Sequence, residues 1–457
     1  MQETIDLKAM QLYFETGITR TEKFRRQQLQ ALKKTILKYE VAIGKALFSD
    51  LGKSTEEGWI TETGFLLSEI NYALRHLAGW MDRESISTSI LNIPSRSFIM
   101  NEPLGVVLII GPWNYPLQLL FTPLVGAIAA GNCVVLKSSE FAASTSAIMK
   151  QIVAETFPPN LVQLVEGDGG VVVPELMNRF TFDHIFYTGS TAVGKLVYEA
   201  AASKLVPVTL ELGGKSPCIV EADADVPVTA KRIAATKFSN AGQMCVAPDY
   251  VLVHHSKKAA LVSALKLTIN KFFGDDPSLS HDYGRIVNEK QFDRLAGYIN
   301  ESTIACGGRI DRSELYIEPT IVEGVSPDDA VMKEEIFGPI LPIIGFETME
   351  DAKKIIAQHK NPLACYIFTS SKAKETAWLN AIPFGGGCIN NAAFHLFNHE
   401  MPFGGRGFSG SGRYHGKFSF DTFSHKKGVM KTPTWFDPSM KYPPYKGKLN
   451  LFKWLVK

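Results

Sequence analysis

Between Pro103 and Leu136 the chain carries no charged side chain, and no other stretch restricts the fold so tightly. A run this apolar is buried either in lipid or in a protein core. A membrane span needs about 20 uninterrupted apolar residues. Here the run is cut by Gly111-Pro112-Trp113-Asn114-Tyr115-Pro116, and the piece that follows holds Gln118, Thr122 and Pro123. A core placement fits both pieces: a strand over Val106 to Ile110, a turn, then a buried helix. Strands that are apolar on both faces belong to parallel sheets covered by helices.

The residues that follow agree with a parallel sheet. Strand patterns at Cys133 to Leu136, Leu161 to Val165, His184 to Tyr187 and Pro207 to Leu210 alternate with helical patterns at Ala142 to Glu155 and Thr191 to Ala201. This spacing predicts βαβ units. A second series runs from Cys218 to about Asn391, with strands near Val251, Tyr316 and Tyr366. Its helices fall at Lys257 to Phe272, Lys290 to Asn300 and Glu350 to Gln358. The 457 residues exceed what one core supports, so the expected class is α/β with two doubly wound parallel-sheet lobes.

Two amphipathic helices, Thr21 to Leu51 and Thr55 to Trp80, precede this pattern. Glu84 to Pro103 reads as an extended arm, and Lys417 to Phe423 as a strand; both look like edges that want a partner. The end, Lys448 to Lys457, is apolar and basic but too short to span a bilayer. Docking on the protein's own surface is its ordinary reading, and weak contact with a membrane surface the sharper one.

A net charge of +2 gives no basic field for nucleic acid, which leaves small molecules as partners. Six scattered cysteines with no C-x-x-C argue against a disulfide framework and against a zinc site, and fit a reducing, cytoplasmic compartment. Met1 to Asp6 is acidic and lacks the apolar stretch of a secretory signal.

Four places carry possible chemistry. Cys245 lies on a turn between a helical run, Val228 to Phe238, and a strand-like Tyr250 to Val253, where functional residues concentrate. A buried free cysteine is more often a small hydrophobe, so the thiol alone decides nothing. Glu211 ends an apolar strand before Leu212-Gly213-Gly214-Lys215; its pKa there would rise and suit a general base, whereas the plain alternative is a pair with Lys215. Asn114, between prolines, offers either a rigid N–H donor or an Asx turn. Gly189-Ser190-Thr191-Ala192-Val193-Gly194-Lys195 follows a strand and opens a helix, where phosphate binds. It fails the G-x-G-x-x-G dinucleotide pattern at Thr191, and it matches the P-loop until Leu196 stands where a hydroxyl should hold Mg²⁺. Upstream, Lys137 and Glu140 follow another strand edge and suit ribose hydroxyls, or else simply cap a helix.

Taken together, Gly111-Pro-Trp-Asn-Tyr-Pro116, Leu136-Lys-Ser-Ser-Glu140, Phe186-Tyr-Thr-Gly-Ser190, Leu210-Glu-Leu-Gly-Gly-Lys215, Gly242-Gln-Met-Cys245 and Glu334-Glu-Ile-Phe-Gly-Pro339 resemble, in order and spacing, the NAD(P)-dependent aldehyde dehydrogenases. The short N-terminus and Ala247-Pro-Asp-Tyr250 look most like the class 3 branch. Ser138 departs from the family, which often has proline there. The resemblance implies that Cys245 is the nucleophile, Glu211 the base, and Asn114 with the Cys245 backbone N–H the oxyanion hole. It places Lys137 and Glu140 at the adenosine ribose of NAD, or of NADP. Gly189, Ser190 and Gly194 fall at the pyrophosphate, Glu335 and Phe337 at the nicotinamide ribose, and Trp113 and Leu212 beside the cofactor.

By the same resemblance, residues 1–82 and 103–211 form the dinucleotide-binding domain and 212–395 the catalytic domain. Residues 83–102 and 396–430 form a small β oligomerisation arm that makes a homodimer, and 431–457 a tail. The expected reaction is oxidation of an aldehyde to the acid through a cysteine thiohemiacetal and thioester. Tyr115, Leu119, Met244, Phe394 and Phe403 are candidates for a channel that admits medium or long aliphatic or aromatic aldehydes. The rivals are a P-loop-like NTPase, which would hydrolyse ATP with Mg²⁺, and a cysteine hydrolase working without nicotinamide.

Overall fold

In the computed structural model, residues 5–300 and 302–456 are described. Met1 to Thr4 of the acidic start, and Lys457, lie outside them.

The uncharged run becomes the centre of the molecule. Val106–Ile110 is a strand with every residue buried, and the helix Pro116–Ala130 is buried along its whole length. Pro116 stands in the first turn, where its missing N–H costs nothing. Gly131, at φ 95°, ends the helix in the left-handed conformation. Buried Arg25 donates to the carbonyls of Ala129 (2.9 Å) and Thr19 (2.8 Å), which sets a cation at the negative end of the helix.

The first sheet has six strands in the order Gly410–Ser411, Val208–Glu211, His184–Thr188, Val106–Ile110, Cys133–Lys137, Val162–Val165. All neighbours are parallel except Gly410–Ser411. From Val106–Ile110 the chain first moves outward on one side, then returns to build on the other. The crevice beyond the carboxyl ends of Val106–Ile110 and His184–Thr188 is therefore a topological switch point, where such sheets bind ligands. The second sheet has seven strands: Thr303–Cys306, Thr320–Glu323, Ile340–Phe346, Tyr250–His254, Pro217–Val220, Ala364–Phe368, Gly386–Ile389. Only Thr303–Cys306 runs antiparallel.

The expected class, α/β with two parallel sheets and a small antiparallel one, is what the chain adopts. Several elements differ from the sequence reading. Lys417–Thr422 is a helix, not a strand. Phe420 and Phe423 are fully buried at helical spacing, and Ser419 packs so closely on Gly126 that no Cβ would fit there. The partner of the arm is the next segment, Ser424–Lys431, paired antiparallel with Arg96–Pro103, with Glu84–Ile86 on the other side. Tyr316–Ile317 belongs to a two-stranded ribbon with Ile310–Asp311, outside the large sheet. The helix Gly169–Arg179 and the strand Ile340–Phe346 are additions. In the tail, Trp435 is 78% exposed and Trp454 72%, so these rings do not dock on the protein's own surface.

Candidate active site

Cys245 follows the helix Val226–Phe238 and a tight turn in which Asn240 (φ 49°), Ala241 (φ 51°) and Gly242 (φ 76°) are all left-handed. A Cβ on Gly242 would run into the Gly338 carbonyl, so that position needs glycine. The turn is held from inside. Gln243 donates to the carbonyls of Asn240 and Arg285, both at 2.9 Å, and accepts from the Val287 N–H at 2.9 Å. Asn114 is 2% exposed and donates one amide hydrogen to the Gln243 carbonyl at 3.1 Å. Its own carbonyl accepts from the Asn240 amide (2.9 Å) and from Lys53 Nζ (2.8 Å). The turn before the central helix and the turn bearing the cysteine thus form one hydrogen-bonded unit.

Two cavities meet at Cys245. A larger one, of about 630 Å³, is walled mainly by apolar groups, and Tyr115, Leu119, Met244, Phe394 and Phe403 all line it as expected. A smaller one, of about 210 Å³, lies at the switch point and is bounded by Trp113, Asn114, Gly189, Ser190, Glu211, Leu212, Cys245, Glu335 and Phe337. Cys245 and Leu119 border both. The structure therefore brings nine of the sequence-selected residues around one space. Lys137, Glu140 and Gly194 stand outside it. Lys137 is 1% exposed, ends the strand next to Val106–Ile110 and pairs with Glu140 at 3.4 Å. Glu140 also accepts from the Gly169 N–H at 3.3 Å. Gly194 is one turn into its helix, where a Cβ would stand 2.6 Å from Leu212.

The electrostatics favour neutral groups in the resting site. Burial, then the charges of Glu335 and Glu211, push the Cys245 thiol above its ordinary value. Glu211 is 3% exposed, neither carboxylate oxygen has a hydrogen-bond partner among the described residues, and burial raises it well above the carboxylate range. It does not pair with Lys215, whose ammonium bonds Asp249 at 2.5 Å and the Val331 and Glu334 carbonyls. Burial and the neighbouring Asp249 charge push Glu335 up to about 8.

The model of the aldehyde dehydrogenase family matches residues 8–429. The chain belongs to that family. It is 45% identical to the 4,4'-diaponeurosporen-aldehyde dehydrogenase of Staphylococcus aureus over 99% of this chain and 98% of that one. To the dimeric NADP-preferring aldehyde dehydrogenase of Rattus norvegicus it is 42% identical over 95% and 96%. The solved structure of the substrate-bound state of Staphylococcus aureus AldH superposes with a TM-score of 0.96 at 44% identity, covering 98% of each chain. This aldehyde dehydrogenase oxidises aldehydes with NAD(P)⁺.

The smaller cavity suits that cofactor. A Cβ on Gly189 would strike the Tyr187 hydroxyl, and one on Gly213 the Glu335 carboxylate, so the walls stay low where a dinucleotide must lie close. Ser190 caps the helix Thr191–Ala202 through Val193 N–H, which leaves the helix start facing the crevice. Trp113 meets Phe337 edge-to-face at 5.4 Å across it.

Sequence reasoning missed Lys53, Glu57, Glu62, Asn240 and Gln243 as site residues. Asn240-Ala241-Gly242 signalled a turn, but nothing in the pattern marked Lys53, in the link between the two amphipathic helices, or Glu57 and Glu62, on the second, as lying against turns far along the chain.

Proposed function

We propose that the dehydrogenase takes medium or long aliphatic or aromatic aldehydes through the larger cavity and oxidises them on Cys245. The observation that carries this reading is that the thiol borders both cavities, with Glu211 and Asn114 on the cofactor side. Cys245 gives up its thiol proton to water, Sγ bonds the aldehyde carbon as the C=O π bond breaks, and the carbonyl oxygen becomes an oxyanion. The second hydrogen of the Asn114 amide and the Cys245 backbone N–H receive that charge. When bound, NAD(P)⁺ supplies the hydride acceptor that turns the thiohemiacetal into a thioester. Glu211, once ionised, takes a proton from water as the water oxygen adds to the thioester carbon, and passes that proton to Cys245 Sγ as the C–S bond breaks, which releases the acid and the thiol. Lys137 with Glu140 would hold the adenosine ribose, Gly189, Ser190 and Gly194 the pyrophosphate, and Glu335 with Phe337 the nicotinamide ribose. Trp113 and Leu212 would flank the cofactor.

The apolar walls of the larger cavity, and the 4,4'-diaponeurosporen-aldehyde in the name of the Staphylococcus relative, support an apolar aldehyde as substrate. An aldehyde panel of increasing chain length, followed by reduced-nicotinamide absorbance with NAD⁺ and NADP⁺ in parallel, should show kcat/KM rising with length. A falling profile would sink the substrate reading. Cys245→Ala should lose turnover yet bind NAD⁺ by fluorescence titration, and retained turnover would remove Cys245 from the role.

The assembly follows from exposed surface. Glu84–Ile86 is open to solvent, and Ser424–Lys431 is largely so. An uncovered sheet edge recruits a second chain, so within residues 83–102 and 396–430 the exposed strands Glu84–Ile86 and Ser424–Lys431 make this aldehyde dehydrogenase a homodimer, which sedimentation at micromolar concentration tests. The lobes 1–82 with 103–211, and 212–395, serve as cofactor and catalytic domains. The tail, 431–457, carries Lys441, Lys446, Lys448 and Lys453 among exposed Trp435, Tyr442, Tyr445, Leu449 and Trp454. That pattern favours weak contact with an anionic membrane surface, and no flotation with anionic vesicles would refute it. No helix among the described residues is long and apolar enough to cross a membrane. Cysteines that are all free among the described residues support a reducing, cytoplasmic setting.

A further inference from the structure

Ten residues near the N-terminus, Lys53 to Glu62, reach both halves of the proposed oxyanion hole although they lie far from each in sequence. Lys53 and Glu62 form an ion pair at 2.6 Å with both side chains fully buried. Lys53 Nζ also donates to the Asn114 carbonyl at 2.8 Å, and lies 3.9 Å from the centre of the Tyr115 ring. The other Glu62 oxygen accepts from the Leu117 N–H (2.9 Å) and the Gln118 N–H (3.3 Å) in the first turn of the central helix. This pair fixes the Asn114 turn.

Glu57 grips the opposite side. One of its oxygens accepts from the Ser239 hydroxyl and from the Asn240 N–H, both at 2.7 Å. Asn240 stands at φ 49°, a conformation a non-glycine residue keeps only when its surroundings impose it. Asn240 in turn bonds the carbonyls of Asn114 and Gln243. After Glu57 the chain makes one π-helical turn, Trp59–Thr63, which includes Glu62 and is a rare form that recurs at functional sites. Glu57, Ile60 and Thr61 line the larger cavity, so the segment that holds the two turns also walls the substrate space.

We propose that Glu57 is a positioning residue of this dehydrogenase: its carboxylate locks the Ser239–Gly242 turn so that the Asn114 amide and the Cys245 N–H point together at the developing oxyanion. The inference rests on the oxyanion role of Asn114 given above. Lys53 and Glu62 hold the same geometry from the Asn114 side, but as a buried ion pair their loss threatens the fold, which makes Glu57 the residue to test.

Glu57→Ala should lower kcat by about 10–10²-fold, less than the ~10²–10³ expected for losing an oxyanion donor itself. KM for NAD⁺ should stay as in the wild type. Alkylation of Cys245 by iodoacetamide, which builds no oxyanion, should proceed at the wild-type rate. In an Asn114→Ala background the Glu57→Ala penalty should shrink severalfold, to what the Cys245 N–H alone still owes to Glu57, because the two residues act through one feature. An unchanged kcat, an equal penalty in both backgrounds, or alkylation falling together with kcat would each overturn the proposal. Asn114→Ala turning over at the wild-type rate would instead sink the oxyanion reading beneath it. Should Glu57→Ala fail to fold, Glu57→Gln, which keeps an acceptor for Asn240 but not the charge, carries the same cycle with a smaller penalty.

Discussion

The larger cavity is walled by rings and alkyl chains gathered from the N-terminal helices, the central helix, the Cys245 turn and the segment around Phe394 to His415. The smaller one, at the carboxyl edge of a sheet, sets Asn114, Ser190 and the carboxylates of Glu211 and Glu335 among glycines and the apolar Trp113, Leu119, Leu212 and Phe337, so placed polar groups make up more of its wall. An apolar wall recognises whatever area it removes from water, at about 25 cal/mol per Å², so its selectivity is graded and tolerant. A polar wall recognises by placed donors and acceptors, each expensive to leave unmatched. Changes on the cofactor side should therefore act on chemistry and nearly as a switch, and changes on the substrate side should tilt preference by small factors.

The largest test of that contrast is Glu211→Gln, which keeps volume and removes the proposed base. Turnover should fall ~10²–10⁴-fold, with an acyl-enzyme accumulating in rapid-quench mass spectrometry. A variant at normal steady-state rate would break the cofactor side of the comparison.

Glu335 gives an intermediate effect through pH. Its carboxyl, pushed up to about 8 by burial and Asp249, is mostly protonated at neutrality and ionises as pH rises through that value. The ionised form is the stronger acceptor for ribose hydroxyls. NAD⁺ should therefore bind severalfold more tightly at pH 9 than at pH 7, and Glu335→Gln should erase that dependence; titration calorimetry reads both. The stability linkage has the opposite sense. A carboxyl raised in the folded state contributes stability below the ordinary carboxylate range, and that contribution is lost as pH climbs through about 8.

The smallest effect belongs to the apolar side. Phe394 is 60% exposed at the larger cavity. Phe394→Ala should raise KM for long-chain aldehydes by roughly fivefold, the equivalent of about 1 kcal/mol of lost contact, while short aldehydes and kcat stay unchanged. An equal effect on every chain length would place Phe394 outside the substrate's path.

Much of this was legible in the chain. The uncharged run from Val106 onward could only be a buried strand and helix, and Glu211, Asn114 and Cys245 each sat at the end of a rigid element, where chemistry is commonly held. The exceptions share a physical cause. Phe418 and Phe420 alternate like a strand, yet tertiary packing of Phe420 and Phe423 around Ser419 selects a helix. Glu57 and Glu62 look like the charges of any amphipathic helix, and Lys53 like a charge in the link before one, because local periodicity does not say which charges will be buried against a distant turn.

By itself the sequence determined the α/β class and the parallel strands, which depend on periodicity, and its motifs carried the family resemblance from which a covalent aldehyde oxidation was expected. Only the tertiary structure decided that two cavities meet at Cys245, that the Glu211 carboxylate has no hydrogen-bond partner among the described residues, and that a segment near residue 57 braces a turn near residue 240. Those are contacts between parts of the chain far apart in sequence, and burial and pairing across such distances exist only once the sheets have closed.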